Sequence, residues 1–293
     1  MQHQLADHIR INTCLSLSKR GVYTDVLRLD ELHPVISGNK WFKLRYYLEA
    51  AKQHGCREII TFGGPYSNHI AATALACKIA GLSASGFIRS YQPLETPTLT
   101  SASALGMQFC FQEPRSYDAL KSNFQPTPNQ YLIPEGGYGA LGVKGAVSIW
   151  QHIPQDSYTH IICMVGSGTT LAGLINGAPE KTQVIGISSM KNNTSLQQEI
   201  AALLPAELDT RIRLIHEYHF GGFAKHTPEL IAFMTDLWNK DQLPSDIVYT
   251  GKLFYAVHDL IQKGYFPPQS KLLLIHTGGL QGNASLPAGT LTF

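Results

Sequence analysis

Charge is scarce in this 293-residue sequence: Asp, Glu, Lys and Arg together make up 15% of it, against roughly 25% in an average soluble chain. With apolar residues at 44%, much of the surface must be buried or neutral, which argues against disorder and leaves room for a subunit interface. The 23 Lys and Arg against 21 Asp and Glu give a net charge of +2. That balance, with no basic run, cannot neutralise a polyanion, so nucleic acid is not expected as a partner. No apolar stretch reaches the roughly 18 residues of a membrane span, and the first segment, MQHQLADHIRIN, is polar rather than signal-like. A soluble, cytoplasmic protein with no membrane partner is the expectation. Its five cysteines (Cys14, Cys56, Cys77, Cys110 and Cys163) form no CxxC pair, so they read as buried free thiols rather than zinc or redox centres. There is no GxSxG nucleophile elbow, and His216-Glu217-Tyr218-His219 lacks the HExxH spacing, so no metal site is expected.

What is present alternates. The length suits two lobes of about 150 residues with a cleft between them. Strand-like runs at Glu58–Phe62, His160–Val165, Gln183–Ile187 and Lys271–His276 lead into glycine- or serine-bearing turns. Helical patterns cover Trp41–His54, His69–Ala80, Leu171–Asn176, Leu196–Leu204, Pro228–Lys240 and Lys252–Lys263. Such alternation predicts an α/β protein with mostly parallel sheets covered by helices, its ligands at the carboxyl ends of strands. Ser90–Gln130 carries five prolines and promises only short segments, while Arg211–Thr227, with Gly221-Gly222, reads as a loop over the cleft.

The strand-end turns carry the candidate chemistry. Gly166-Ser167-Gly168-Thr169-Thr170 offers backbone N–H groups and hydroxyls at a helix start, an anion cup as well as a tight turn. It has neither the Gly-Lys ending of a nucleotide loop nor the third glycine of a dinucleotide fingerprint. In Ser37-Gly38-Asn39-Lys40-Trp41-Phe42-Lys43-Leu44, Lys40 and Lys43 share one helix face. They are either a solvated pair or an aldehyde-reactive amine beside a phosphate-binding one, since a desolvated lysine is the group a Schiff base needs. Gly63-Gly64-Pro65-Tyr66-Ser67-Asn68-His69 opens another helix: Ser67 or Asn68 is a natural N-cap, and the same helix start suits a substrate carboxylate while the Asn68 amide meets a phenolic oxygen. Tyr249, in Val248-Tyr249-Thr250-Gly251-Lys252, reads as a core aromatic, a stacking platform or an acid. Either Thr250 or Thr277, the latter in His276-Thr277-Gly278-Gly279, is placed to meet a ring nitrogen.

Taken in order, SGNKWFKL, GGPYSNH, GSGTTLAGL, YTGK and IHTGG resemble the pyridoxal-phosphate enzymes of the D-cysteine desulfhydrase and 1-aminocyclopropane-1-carboxylate deaminase family, from about residue 20 to residue 282. The resemblance implies fold type II, the tryptophan-synthase β-like α/β architecture of two domains, each a mostly parallel sheet flanked by helices. It divides the chain into a large cofactor-binding domain (1–47 and 149–293) and a small domain closing over the substrate (48–148). The implied cofactor is pyridoxal 5'-phosphate. Lys40 matches the lysine that bonds to its aldehyde and Lys43 a lysine near its phosphate. Gly166, Ser167, Gly168, Thr169 and Thr170 match the phosphate cup, and Asn68 the residue beside the phenolic oxygen. Ser67, Asn68 and His69 match the substrate side, and Tyr249 the active-site wall.

The implied activity is a lyase or deaminase acting on a small amino acid, with a homodimer as the expected assembly. Lys40, Ser67 and Tyr249 are the implied catalytic residues. Two departures matter. Phe42 stands where the family's GNKxRKL pattern has arginine, and Thr250 stands where the deaminase branch has the glutamate of YEGK. A carboxylate keeps the pyridine nitrogen protonated and the ring a deep electron sink, whereas a hydroxyl stabilises carbanionic charge less. Expelling a thiolate tolerates the weaker sink, so the sequence favours D-cysteine-type β-elimination to pyruvate, ammonia and sulfide. The alternatives are opening of the cyclopropane substrate to 2-oxobutanoate and ammonia, and non-catalytic carriage of the cofactor.

Overall fold

The computed structural model describes residues 8–293. The start of the polar first segment, residues 1–7, lies outside the described residues. Two sheets organise the chain. The larger is built from β1 (Ile11–Thr13), β2 (Tyr23–Arg28), β7 (His160–Val165), β8 (Gln183–Ser188), β9 (Leu214–Ile215) and β10 (Lys271–His276), in the order β1-β2-β10-β7-β8-β9. The smaller uses β3 (Glu58–Gly63), β4 (Ser83–Arg89), β5 (Gln108–Gln112) and β6 (Gln130–Ile133), in the order β5-β4-β3-β6. Every pairing is parallel except β1 with β2. The smaller sheet thus comes from the middle of the chain and the larger from its two ends.

Central strands are apolar along their whole length because helices cover both faces, leaving no solvent side to alternate with. Every residue of β7 is buried, and Leu272–Ile275 in β10 are each fully buried. At the edge the logic changes. β5 alternates between exposed and half-buried positions, and one of them puts Cys110 in solvent. The other four cysteines are buried free thiols, so the expectation of burial fails at Cys110 alone.

The proline-rich middle holds more order than its composition promises. Pro97 and Pro114 each stand in the first turn of a helix, Pro97–Ala104 and Pro114–Asn123, where the missing N–H would be unpaired in any case. Thr96 caps the first of these by accepting from Leu99 N–H. Among the described residues no helix is long and apolar enough to cross a membrane.

Three helices fix the backbone around the cleft: Asn39–Gln53, Ala140–Val147 and Thr169–Gly177. The first starts from Gly38 at φ +72°, where a Cβ would lie 1.6 Å from the Thr277 carbonyl oxygen. Only glycine permits both that conformation and that approach. Phe42, in place of the expected arginine, is buried and meets the His152 ring edge-on at 5.7 Å. Beneath it, a Cβ on Gly145 would sit 1.8 Å from the Phe42 carbonyl oxygen. Overpacking a core costs about 1–3 kcal/mol, so Gly145→Ala is expected to lower the urea midpoint clearly. Gly64→Ala, where nothing lies within 4 Å of the added carbon, serves as the control. Equal midpoints for the two variants would show that these helices do not need the close contact.

Candidate active site

Five strand ends converge on one cleft. Gly63 of β3 leads to Ser67 and Asn68, Val165 of β7 to the Gly166–Thr170 turn, and His276 of β10 to Thr277. Arg28 of β2 leads through a 3-10 turn to Gly38, and Ile133 of β6 to the loop Pro134–Gly139. Hydrogen bonds stitch these turns together. Asn39 N–H donates to the Thr277 carbonyl at 3.1 Å and Gly279 N–H to Ser37 Oγ at 3.1 Å. The Asn68 amide nitrogen donates to the Gly279 carbonyl at 2.8 Å, tying the smaller sheet to the larger.

Lys40 and Lys43 lie in the opening turns of the Asn39–Gln53 helix, one turn apart on one face. Lys40 Nζ donates to Asn39 Oδ1 at 2.9 Å, and Asn39 Nδ2 donates to Thr170 Oγ1 at 2.7 Å. Asn39 therefore couples the Lys40 amine to the Gly166–Thr170 turn. Burial lowers the Lys40 amine to about 8, against the opposing pull of Asp246. Lys43 is 3% exposed, and burial and the Lys40 charge push its amine well below its ordinary range. Among the described residues it has no carboxylate or hydrogen-bond partner. The neighbouring loop lies directly on it, since a Cβ on Gly137 would be 3.2 Å from Lys43 Cβ.

The cup itself is open to an anion. Gly168 precedes the Thr169–Gly177 helix and no side chain caps that start, so the first-turn N–H groups remain free to point at a ligand. Ser167 and Thr169 place their hydroxyls 3.2 Å apart, and Gly136 lies over Ser167, its would-be Cβ 3.6 Å from Oγ.

On the smaller sheet, Ser67 caps the Asn68–Ala80 helix by accepting from His69 N–H at 3.2 Å and Ile70 N–H at 3.4 Å. Those two donors are therefore spent internally; the Ser67 O–H proton and the Asn68 N–H are what remains for a substrate carboxylate. Asn68 Oδ1 is buried without a partner. His69 lies behind this surface rather than on it. Its ring is 3% exposed, with Nε2 2.8 Å from Thr61 Oγ1. Thr61 gives its own proton to the Ile133 carbonyl at 2.8 Å, so His69 Nε2 is the donor and Nδ1 carries the lone pair. Burial, Lys43 and Lys40 together hold this imidazole well below its ordinary pKa, hence neutral.

The Tyr249 ring packs on the cup, where a Cβ on Gly166 would lie 3.3 Å from its hydroxyl oxygen. Burial, Asp246 and Glu135 raise its phenol, so it stays protonated. Thr250 is fully buried and its hydroxyl is committed: it donates to Asp246 Oδ1 at 2.7 Å and accepts from Asp246 N–H at 2.8 Å. Thr277, by contrast, has no hydrogen-bond partner for its hydroxyl among the described residues. Of the two threonines placed for a ring nitrogen, Thr277 is the one with a proton to give.

Sequence reasoning missed three elements. Asn39 went unnoticed between Gly38 and Lys40. Asp246 is fully buried and accepts from the N–H groups of Val248, Tyr249 and Thr250 and from the Thr250 hydroxyl, at 2.7–3.0 Å. The acid four residues before a threonine at a helix start was the available signal. The glycine-rich Glu135–Gly139 loop, which follows β6 and lies on Lys43 and Ser167, was not singled out, because it carries no chemistry of its own.

Two lysine amines in one site, neither ion-paired among the described residues, an uncapped helix start, an orphaned amide oxygen and a free threonine hydroxyl fit an aldehyde-bearing aromatic phosphate. Known proteins agree. The profile of the family described as pyridoxal-phosphate dependent enzyme matches residues 12–278. A Pyrococcus horikoshii protein named "Putative 1-aminocyclopropane-1-carboxylate deaminase" is 33% identical over 274 residues, 84% of this chain and 81% of the relative. A Thermotoga maritima protein of the same name is 26% identical over 290 residues, 91% of this chain and 92% of the relative. The crystal structure of an ACC deaminase homologue superposes with a TM-score of 0.82 at 28% identity, covering 95% of this chain and 91% of that one. A hydrogen sulfide-producing enzyme from Fusobacterium nucleatum shares the fold, with a TM-score of 0.70 at 15% identity over 97% of this chain and 98% of that one. The chain belongs to the pyridoxal-phosphate dependent enzyme family, a fold type II enzyme whose cofactor is pyridoxal 5'-phosphate.

Proposed function

We propose that the protein is a β-eliminating lyase for a small β-substituted amino acid, D-cysteine by preference, converting it with water to pyruvate, ammonia and hydrogen sulfide. One observation carries this reading: of the two threonines expected near the ring nitrogen, Thr250 already donates to Asp246 and Thr277 keeps a free hydroxyl, so a neutral donor rather than a carboxylate is what they would offer it. When bound, pyridoxal 5'-phosphate supplies an aldehyde carbon and a conjugated ring that accepts the electron pair left by the α-proton. A neutral partner makes that sink shallower, which suits a thiolate leaving group better than a strained carbon–carbon bond.

The protein's own groups divide the remaining work. Lys43 and the Ser167–Thr170 turn would hold the phosphate, and Lys40 would supply the amine for the aldehyde carbon. Lys40 Nζ, anchored on Asn39 Oδ1, would be the base that takes the substrate's α-proton. Ser67 O–H and Asn68 N–H orient the substrate carboxylate. Tyr249, kept protonated, has a phenolic proton to offer the departing group. The relatives' names support a second reading, deamination of 1-aminocyclopropane-1-carboxylate to 2-oxobutanoate.

Keto-acid release from a panel of D- and L-amino acids decides between them: pyruvate from D-cysteine is expected, with no 2-oxobutanoate from the cyclopropane substrate. The converse result would replace the first reading with the second. Lys40→Ala is expected to lose both all turnover and the covalent cofactor attachment that borohydride reduction makes permanent in wild type, and retention of either would remove Lys40 from its role. The neutral amine that attacks an aldehyde grows as pH rises through the Lys40 value of about 8. Reconstitution of the apoprotein should therefore accelerate with a midpoint near pH 8, whereas an unperturbed lysine would place that midpoint near 10.5.

A further inference from the structure

Outside the groups already given roles, one buried cation stands apart. Lys252 is fully buried, and its ammonium donates to the His219 carbonyl at 2.9 Å and the Gly222 carbonyl at 2.8 Å. It makes no ion pair among the described residues. Both carbonyls belong to the segment between β9 and the Pro228–Asp241 helix. Phe220, Gly221 and Gly222 there have φ of +52°, +93° and +128°, and Ala224 has +54°. A conformation that side chains rarely adopt persists only when surrounding contacts over-determine it.

Those contacts form one stripe. The segment is fastened to residues 249, 252, 255 and 259, spaced as one face of the Thr250–Gln262 helix and its start. The Tyr218 hydroxyl donates to Asp259 at 2.6 Å, and Phe220 meets the Tyr255 ring at 4.9 Å. Lys252 holds the two carbonyls, and Phe223 meets the Tyr249 ring edge-on at 6.0 Å. Phe223 is nevertheless 53% exposed. A large aromatic ring is thus held partly in solvent beside the tyrosine that touches the phosphate cup.

We propose that Phe223 is the specificity-determining wall of the cleft, limiting the substrate's β-substituent to a few atoms, and that Lys252 is the positioning residue that holds it there through the His219 and Gly222 carbonyls. The proposal rests on the lyase reading for its substrates and on the loop geometry for its mechanics, so the two are tested separately. The cofactor-loaded wild type, Phe223→Ala and Lys252→Met are compared on racemic β-chloroalanine, a small substrate, and racemic S-benzylcysteine, a bulky one. Phe223→Ala is expected to raise the bulky-to-small ratio of kcat/KM at least tenfold with the cofactor absorbance unchanged. Lys252→Met is expected to shift the ratio the same way, raising KM for β-chloroalanine about tenfold while kcat stays within twofold. Trypsin should cut after the exposed Lys225 at least tenfold faster in Lys252→Met than in wild type. An unchanged ratio in Phe223→Ala overturns the wall, and wild-type KM and trypsin rate in Lys252→Met overturn the clamp. Should Lys252→Met fail to fold, Phe223→Ala, altered at a half-exposed side chain, decides alone. If wild type releases keto acid from neither racemate, the lyase reading falls. Calorimetric binding of the same two racemates to wild type and Phe223→Ala then decides the wall, equal affinity ratios overturning it.

Discussion

Two amines enclosed side by side without a bonded carboxylate are the constraint on which the rest of the structure depends. Burying a charge without a counter-charge is costly, and a lysine so placed sheds its proton instead. Lys40 and Lys43 show that response, each lowered chiefly by burial and Lys43 further by its neighbour. An anion brought from outside resolves the conflict. The surrounding turns are shaped for one, with an uncapped helix start on one side and glycines where side chains would intrude on the other. The low net charge of +2 is no guide to this local arrangement, because the field that matters is set by a few groups in a low-dielectric cleft.

Asp246 is the second organiser. Its carboxylate is satisfied by four donors from the segment Val248–Thr250, all within its own turn. That turn aims Tyr249 at the cup and occupies the Thr250 hydroxyl. The same acid raises both the Lys40 and the Lys252 amines against burial. One buried carboxylate therefore sets the geometry of the Val248–Thr250 turn and opposes the effect of burial on two lysines.

How much of this was legible from sequence depended on whether a segment's pattern came from burial or from partners. β7 and β10 announced themselves as continuous apolar runs, because a central parallel strand is buried on both faces. Residues 97–104 and 114–123 were obscured by their prolines, which read as breaks until the helices show them at the first turn. Lys40, Lys43 and the Gly166–Thr170 turn could be picked out as candidates because the expected chemistry restricts the residue types, and the structure brings Lys40 and Thr170 together through Asn39. The roles of Asn39 and Asp246 were not, since each depends on what a side chain finally faces: Asn39 spans 131 positions to Thr170. Composition likewise left Thr250 and Thr277 equivalent, and only the Asp246 hydrogen bond separates them.

Folding and cofactor capture are linked through the same protons. The Lys40 amine holds its proton up to about pH 8 in the folded chain and to about 10.5 when unperturbed. Between those values the unfolded chain binds more protons than the folded one, so the apoprotein gains stability as pH rises through that window. Below it both states carry the proton and the penalty of a buried cation is constant. A phosphate held at Lys43, as proposed, would reverse the preference there, since it would favour the charged ammonium that burial alone rejects. The site is therefore least comfortable empty and near neutral pH, and the cofactor relieves a strain that packing imposes. The fold gives up some apoprotein stability to enclose the Lys40 and Lys43 amines, and it makes the same exchange at Lys252, whose ammonium is buried against two carbonyls rather than a carboxylate.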